Sequence, residues 1–169
     1  MYKYISRNIS ILEVVRSQTA VRLGIDNVPS LCQYIIIKHL AKNFFEPLRN
    51  HFKVPIKINS FFRSKDLNSA IGGSSKSDHM IESNVAAIDI DDTFSRKYGI
   101  YNRDMFFHIA SNMDFQKLIW EYDDKLTPRG LRSPKWIHIS YSTDPEKNKE
   151  RNILITNGKG YSRLDINKI

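Results

Sequence analysis

The sequence predicts a small single domain of the α+β class, and three observations carry that prediction. The chain has 169 residues, a length that one core of ordinary size accommodates. Apolar residues recur at three- and four-residue steps in the first half and at two-residue steps or in short runs in the second. No repeat, linker or low-complexity stretch divides the chain, so one unit over 1–169 is expected, with its core at about 10–156.

The elements follow in order. Ser10-Ile11-Leu12-Glu13 has the Ser-x-x-Glu spacing of a capping box and predicts a helix from Ser10. Gly24 and Asp26-Asn27-Val28-Pro29 mark a loop. A second helix is expected from Ser30 to about Asn50, because Ile37, Leu40, Ala41, Phe44, Phe45 and Leu48 share a face; Pro47 should bend or end it. Pro55 to Ser60 alternates as a half-buried strand, and Lys65 to Ile71 suits a short helix stopped by Gly72-Gly73. Residues 74–78 read as loop and Val85 to Ile90 as a buried strand. Asn102 to Met113 reads as a helix with Asn102 as its N-cap. Strands at 116–122, 135–142 and 152–156 complete the pattern.

Composition limits the function. With 26 Lys and Arg against 18 Asp and Glu the net charge is +8, which favours an anionic partner or serves solubility. The basic residues are scattered and form no run of five, which argues against a nucleic-acid arm. A single cysteine, Cys32, permits neither an internal disulfide nor a thiolate metal cluster. No apolar stretch approaches the roughly 18 residues of a membrane span. The first 16 residues, broken by Lys3, Arg7, Asn8 and Glu13, lack the apolar run of a secretory signal.

Strand periodicity sorts the polar candidates. In Trp136-Ile137-His138-Ile139-Ser140-Tyr141, Ile137, Ile139 and Tyr141 take one face, and Trp136, His138 and Ser140 the other. A histidine presented by a strand is well placed to bind a metal. Asp89 and Asp91 share a face opposite Ile88 and Ile90; two carboxylates on a buried strand are costly unless they bind a cation, hydrogen-bond fully or reach solvent. Glu121 shares a face with Ile119 and is either a general base or an exposed strand-end residue. His39, His51 and His108 have no second ligand at helical spacing and read as surface or core-edge histidines.

Six segments in sequence order resemble the M15 family of zinc D-Ala-D-Ala peptidases, especially the small phage-type members. They are Ser60-Phe61-Phe62-Arg63-Ser64, residues 67–74, Ser77-Asp78-His79-Met80, Ala87-Ile88-Asp89-Ile90-Asp91, residues 115–121 and residues 136–140. Residues 16–20 and 23–27 add to the likeness, which spans roughly 10–142. The resemblance implies a hedgehog/DD-peptidase-like fold with a mainly antiparallel sheet flanked by helices. It implies a Zn2+ cofactor held by His79, Asp89 and His138, with Asp91 as the alternative to Asp89. Glu121 and Arg63 would be catalytic, and Arg63, Ser77 and Trp136 would bind substrate. The implied activity is hydrolysis of peptidoglycan stem peptides, as a D-Ala-D-Ala carboxypeptidase or an L-Ala-D-Glu-type endopeptidase. The alternative is an inactive zinc- or cell-wall-binding module of the same fold. A monomeric phage enzyme is expected, with neither a nucleic-acid partner nor a membrane span, waiting in host cytoplasm or on the virion. Two departures stand out. The family's motif sets its Asp seven residues after its His, whereas here the interval is 89 − 79 = 10, and Val85 stands where the motif has glycine. Asn84 is expected to supply a left-handed turn in its place.

Overall fold

A computed structural model describes residues 3–168. The chain opens with two short helices, α1 (Ile11–Val15) and α2 (Gln18–Leu23). Ser10 and Glu13 form the expected capping box on α1, and Ser17 caps α2. The long helix runs as α3 (Leu31–Leu40), a π-helical turn (Ala41–Phe45) and α4 (Glu46–Phe52). Pro47 therefore neither ends the helix nor stands against a regular α-ladder, since the wider turn directly before it absorbs the missing donor. Strand β1 (Lys57–Ser60) and helix α5 (Lys65–Ala70) follow, then a 3-10 turn (Asp78–Met80) and β2 (Val85–Asp91).

Helix α6 (Asn102–Asn112) is capped by Tyr101 rather than Asn102. Asn102 is buried, and its amide donates to the carbonyls of Pro134 and Lys135, so tertiary contacts claim the side chain that looked like a cap. Strand β3 (Lys117–Glu121), the small β4 (Lys125–Leu126) and β5 (Arg132–Ser133) pair, and β6 (Trp136–Ser142) come next. The chain closes with α7 (Pro145–Asn148), β7 (Asn152–Thr156) and β8 (Tyr161–Arg163).

The main sheet has six strands in the order β1-β2-β6-β3-β7-β8. Every pairing is antiparallel except β3 with β7. The fold is α+β with a mainly antiparallel sheet flanked by helices. Its strands have two unlike faces because side chains alternate. Ile88, Ile90, Leu118, Trp120, Ile137 and Ile139 form one face and are wholly buried against helix residues that include Leu40, Phe44 and Phe106. Phe106 meets the Trp120 ring edge-on at 5.0 Å. The opposite face carries Asp89, His138, Ile119 and Glu121.

Register decides what meets on that second face. Asp89 is the Cα partner of His138, His138 of Ile119, and Glu121 of Trp136. Asp89 and His138, 138 − 89 = 49 residues apart in sequence, thus lie side by side on neighbouring strands. Among the described residues, no helix is long and apolar enough to cross a membrane.

The apolar face anchors this register. Phe106→Ala, which empties a fully buried aromatic site, should lower stability by ~3–5 kcal/mol in urea unfolding.

Candidate metal centre

His79 does not sit on the sheet. It is carried over the polar face by the 3-10 turn, and the chain then returns through Ile81 in the left-handed region (φ 55°). This backbone is strained for a β-branched residue, and Ile81 is held in it by burial. The left-handed residue is thus Ile81 and not Asn84, which lies directly before β2. The longer interval still brings His79 to Asp89.

Three ligand-type side chains converge there. One donor atom from each of His79, Asp89 and His138 lies within 4.8 Å of the others. His79 Nε2 is 3.1 Å from Asp89 Oδ2, and His138 Nδ1 is 2.9 Å from Asp89 Oδ1. The two imidazoles meet edge to face at 5.1 Å. His79 and Asp89 are buried, and His138 is partly exposed towards the cleft.

The far side of His79 fixes its tautomer. Its Nδ1 lies 2.6 Å from the backbone oxygen of Phe61, which can only accept, so Nδ1 carries a proton. In the neutral ring Nε2 is then a lone pair aimed at a carboxylate oxygen, an arrangement that calls for positive charge between them. A proton or a metal cation satisfies it. Two imidazole nitrogens and one carboxylate are a donor set that zinc accepts, with a fourth position left for water.

Charge at Asp89 follows from the same contacts. Burial alone would raise its carboxyl, but the nearby His79 and the hydrogen bond from His138 outweigh that and hold it well below the usual carboxylate range. Arg63 joins the cluster, with Nη2 3.2 Å from Asp89 Oδ2 and Nε bonded to Ser60 Oγ at 3.0 Å. Asp91 points elsewhere. It pairs with Lys57 at 3.3 Å and accepts from the backbone of Thr93 at 2.7 Å, and so is not part of the cluster.

Glu121 lies at the end of β3 on the same face and is nearly buried. Burial pushes its carboxyl up to about 7, the charge of Asp89 adds to this, and His138 and Arg63 pull against it. A carboxyl that exchanges its proton near neutrality suits general-base work. An open cleft of about 440 Å³ unites these groups, with Ser77, Trp136, Leu154 and Tyr161 among its walls. Ser77 lines it, and the Phe61 carbonyl braces His79 from behind. Trp136 leans on Tyr122 at 5.1 Å.

Of the residues named from sequence, Arg63, Ser77, His79, Asp89, Glu121, Trp136 and His138 all line this one cleft. His39 stacks on Tyr141, and His51 on His108; neither pair reaches the cleft. Sequence reasoning missed Tyr161, Leu154, Asp78 and Lys117. Period two on β3 could have placed Lys117 on the face of Ile119 and Glu121, whereas Tyr161 carries no such signal.

A two-histidine, one-carboxylate cluster beside a near-neutral glutamate, in an open cleft on a sheet, is the layout of a metal-dependent hydrolase. The family model described as Peptidase M15 matches residues 7–110. The chain belongs to the peptidase M15 family, a metallopeptidase family whose members generally depend on zinc. No curated protein matches the chain. The matched residues include Arg63, His79 and Asp89; Glu121 and His138 lie beyond them and join the site through the sheet register.

The raised Glu121 carboxyl has a measurable cost. The folded chain binds this proton more tightly than the unfolded chain, whose ordinary value is 4.5, so stability falls as pH rises from there to about 7. In metal-free protein, Glu121→Gln should therefore be the more stable form at about pH 8, by ~1–2 kcal/mol after allowing for water in the cleft. The gain should shrink towards pH 5, as read by urea titrations at the two pH values.

Proposed function

We propose that this chain is a zinc-dependent peptidase acting on peptidoglycan stem peptides, as a D-Ala-D-Ala carboxypeptidase or an L-Ala-D-Glu-type endopeptidase. The observation that carries the reading is the convergence of His79, Asp89 and His138, with Glu121 on the same face of one open cleft. His79 would hold the metal through Nε2, His138 through Nδ1 and Asp89 through its carboxylate. Bound zinc supplies Lewis acidity, polarising a scissile carbonyl and making water more acidic.

The remaining steps belong to the chain's own groups. Glu121 takes a proton from the attacking water and returns it to the leaving amine, and its near-neutral carboxyl suits both transfers. Arg63 uses two of its five donors on Asp89 and Ser60, and the others are free for a substrate carboxylate or a developing oxyanion. Trp136 and Ser77 line the path that a peptide would follow. The net charge of +8 supports attraction to an anionic wall, which added salt should weaken.

Mass spectrometry of purified peptidoglycan fragments incubated with zinc-loaded protein tests the reading and reports the bond. New stem-peptide termini are expected. Glu121→Gln should keep its zinc and lose hydrolysis by about 10²–10⁴-fold. If wild type and variant hold zinc equally and neither releases peptide, the chain is a binding module on the same fold.

A further inference from the structure

Behind His138 runs a second line of polar contacts that the reaction itself does not use. His138 and Ser140 are two residues apart on β6, so their side chains share a face, and His138 Nε2 lies 3.0 Å from Ser140 Oγ. Ser140 is fully buried. Its hydroxyl lies 2.6 Å from Asp78 Oδ2, and the same carboxylate oxygen receives Lys117 Nζ at 2.8 Å. Lys117 stands where it does because it is the Cα partner of Ser140 across β3 and β6.

The direction of these bonds follows from the inventory of donors. A carboxylate paired with an ammonium only accepts, so the hydroxyl hydrogen of Ser140 goes to Asp78. Ser140 Oγ then meets His138 with lone pairs, and Nε2 must carry the proton. In the neutral ring that leaves the lone pair of Nδ1 turned to the cluster 2.9 Å from Asp89, where, as at His79, either a proton shared with the carboxylate or a metal cation satisfies the contact. Asp78 also precedes His79 in the 3-10 turn, so one residue touches both histidines: the first through its backbone, the second through Ser140.

We infer that Lys117, Asp78 and Ser140 form a positioning relay that sets His138 in its Nε2–H tautomer and ties the two histidines into one metal-ready pair. The inference rests on the metal-site reading above. It assigns roles to three residues that make no contact with the cluster's Asp89. Partners of this kind, acting one bond behind a ligand, typically tune metal affinity by 10–100-fold.

The test uses the full chain with Zn2+ as the probe. Long-range 1H–15N imidazole spectra read the tautomer, and competition with a chelator reads the affinity. In wild type, His138 Nε2 should carry a proton both in the zinc-loaded chain and in the metal-free chain at about pH 8.5, whether or not Nδ1 shares one with Asp89. Ser140→Ala should mix the His138 tautomers in the metal-free chain and weaken Zn2+ binding about 10–100-fold. Asp78→Asn, close in shape, should weaken it in the same direction and guards against a folding defect in the first variant. Wild-type affinity in both variants, or an Nδ1–H tautomer of His138 in metal-free wild type, would overturn the relay. Should wild type take up no Zn2+ yet keep Nε2–H in the metal-free spectrum, the metal reading fails and the relay stands.

Discussion

The arrangement depends on a single buried carboxylate. Asp89 stands on a strand whose every residue is buried, and a charge in that place is tolerable only if cations or donors surround it. His79, His138 and Arg63 do so from three directions, each delivered by a different segment. The sheet brings His138 alongside, the 3-10 turn lowers His79 from above, and Arg63 arrives directly after β1. Removal of any one leaves Asp89 undercompensated, so folding and site assembly are one problem here.

The two-faced sheet solves it. Isoleucines at 88, 90, 137 and 139 lock the strands against the helices, and alternation then forces residues 89 and 138 to the opposite side. The chemistry therefore sits on a rigid apolar layer, which suits a site that needs its donors held within a fraction of an ångström. Antiparallel register sets Asp89 beside His138, and the 3-10 turn adds His79.

Much of this was legible in the chain itself. Period two in Trp136–Tyr141 and Ala87–Asp91 marked the faces correctly, since strand alternation does not depend on tertiary context. The Ser10 capping box was equally local and appears as read. Other features needed the fold. Asn102 looked like a cap but serves the carbonyls of 134 and 135, and Pro47 is accommodated by a π turn that no propensity announces. The choice between Asp89 and Asp91, identical by alternation, was decided by a neighbour on the edge strand, Lys57. Tyr161 reached the cleft only through the pairing of β7 with β8, a strand too short and polar to stand out.

His79, Asp89 and His138 are expected to hold one metal ion between them. X-ray absorption at the zinc edge of zinc-loaded protein tests this most directly. One zinc per chain is expected, with two imidazole nitrogens, light oxygen ligands for the rest and no sulfur. A shell with sulfur or a different number of imidazoles, or a chain that retains no zinc after dialysis, would contradict it.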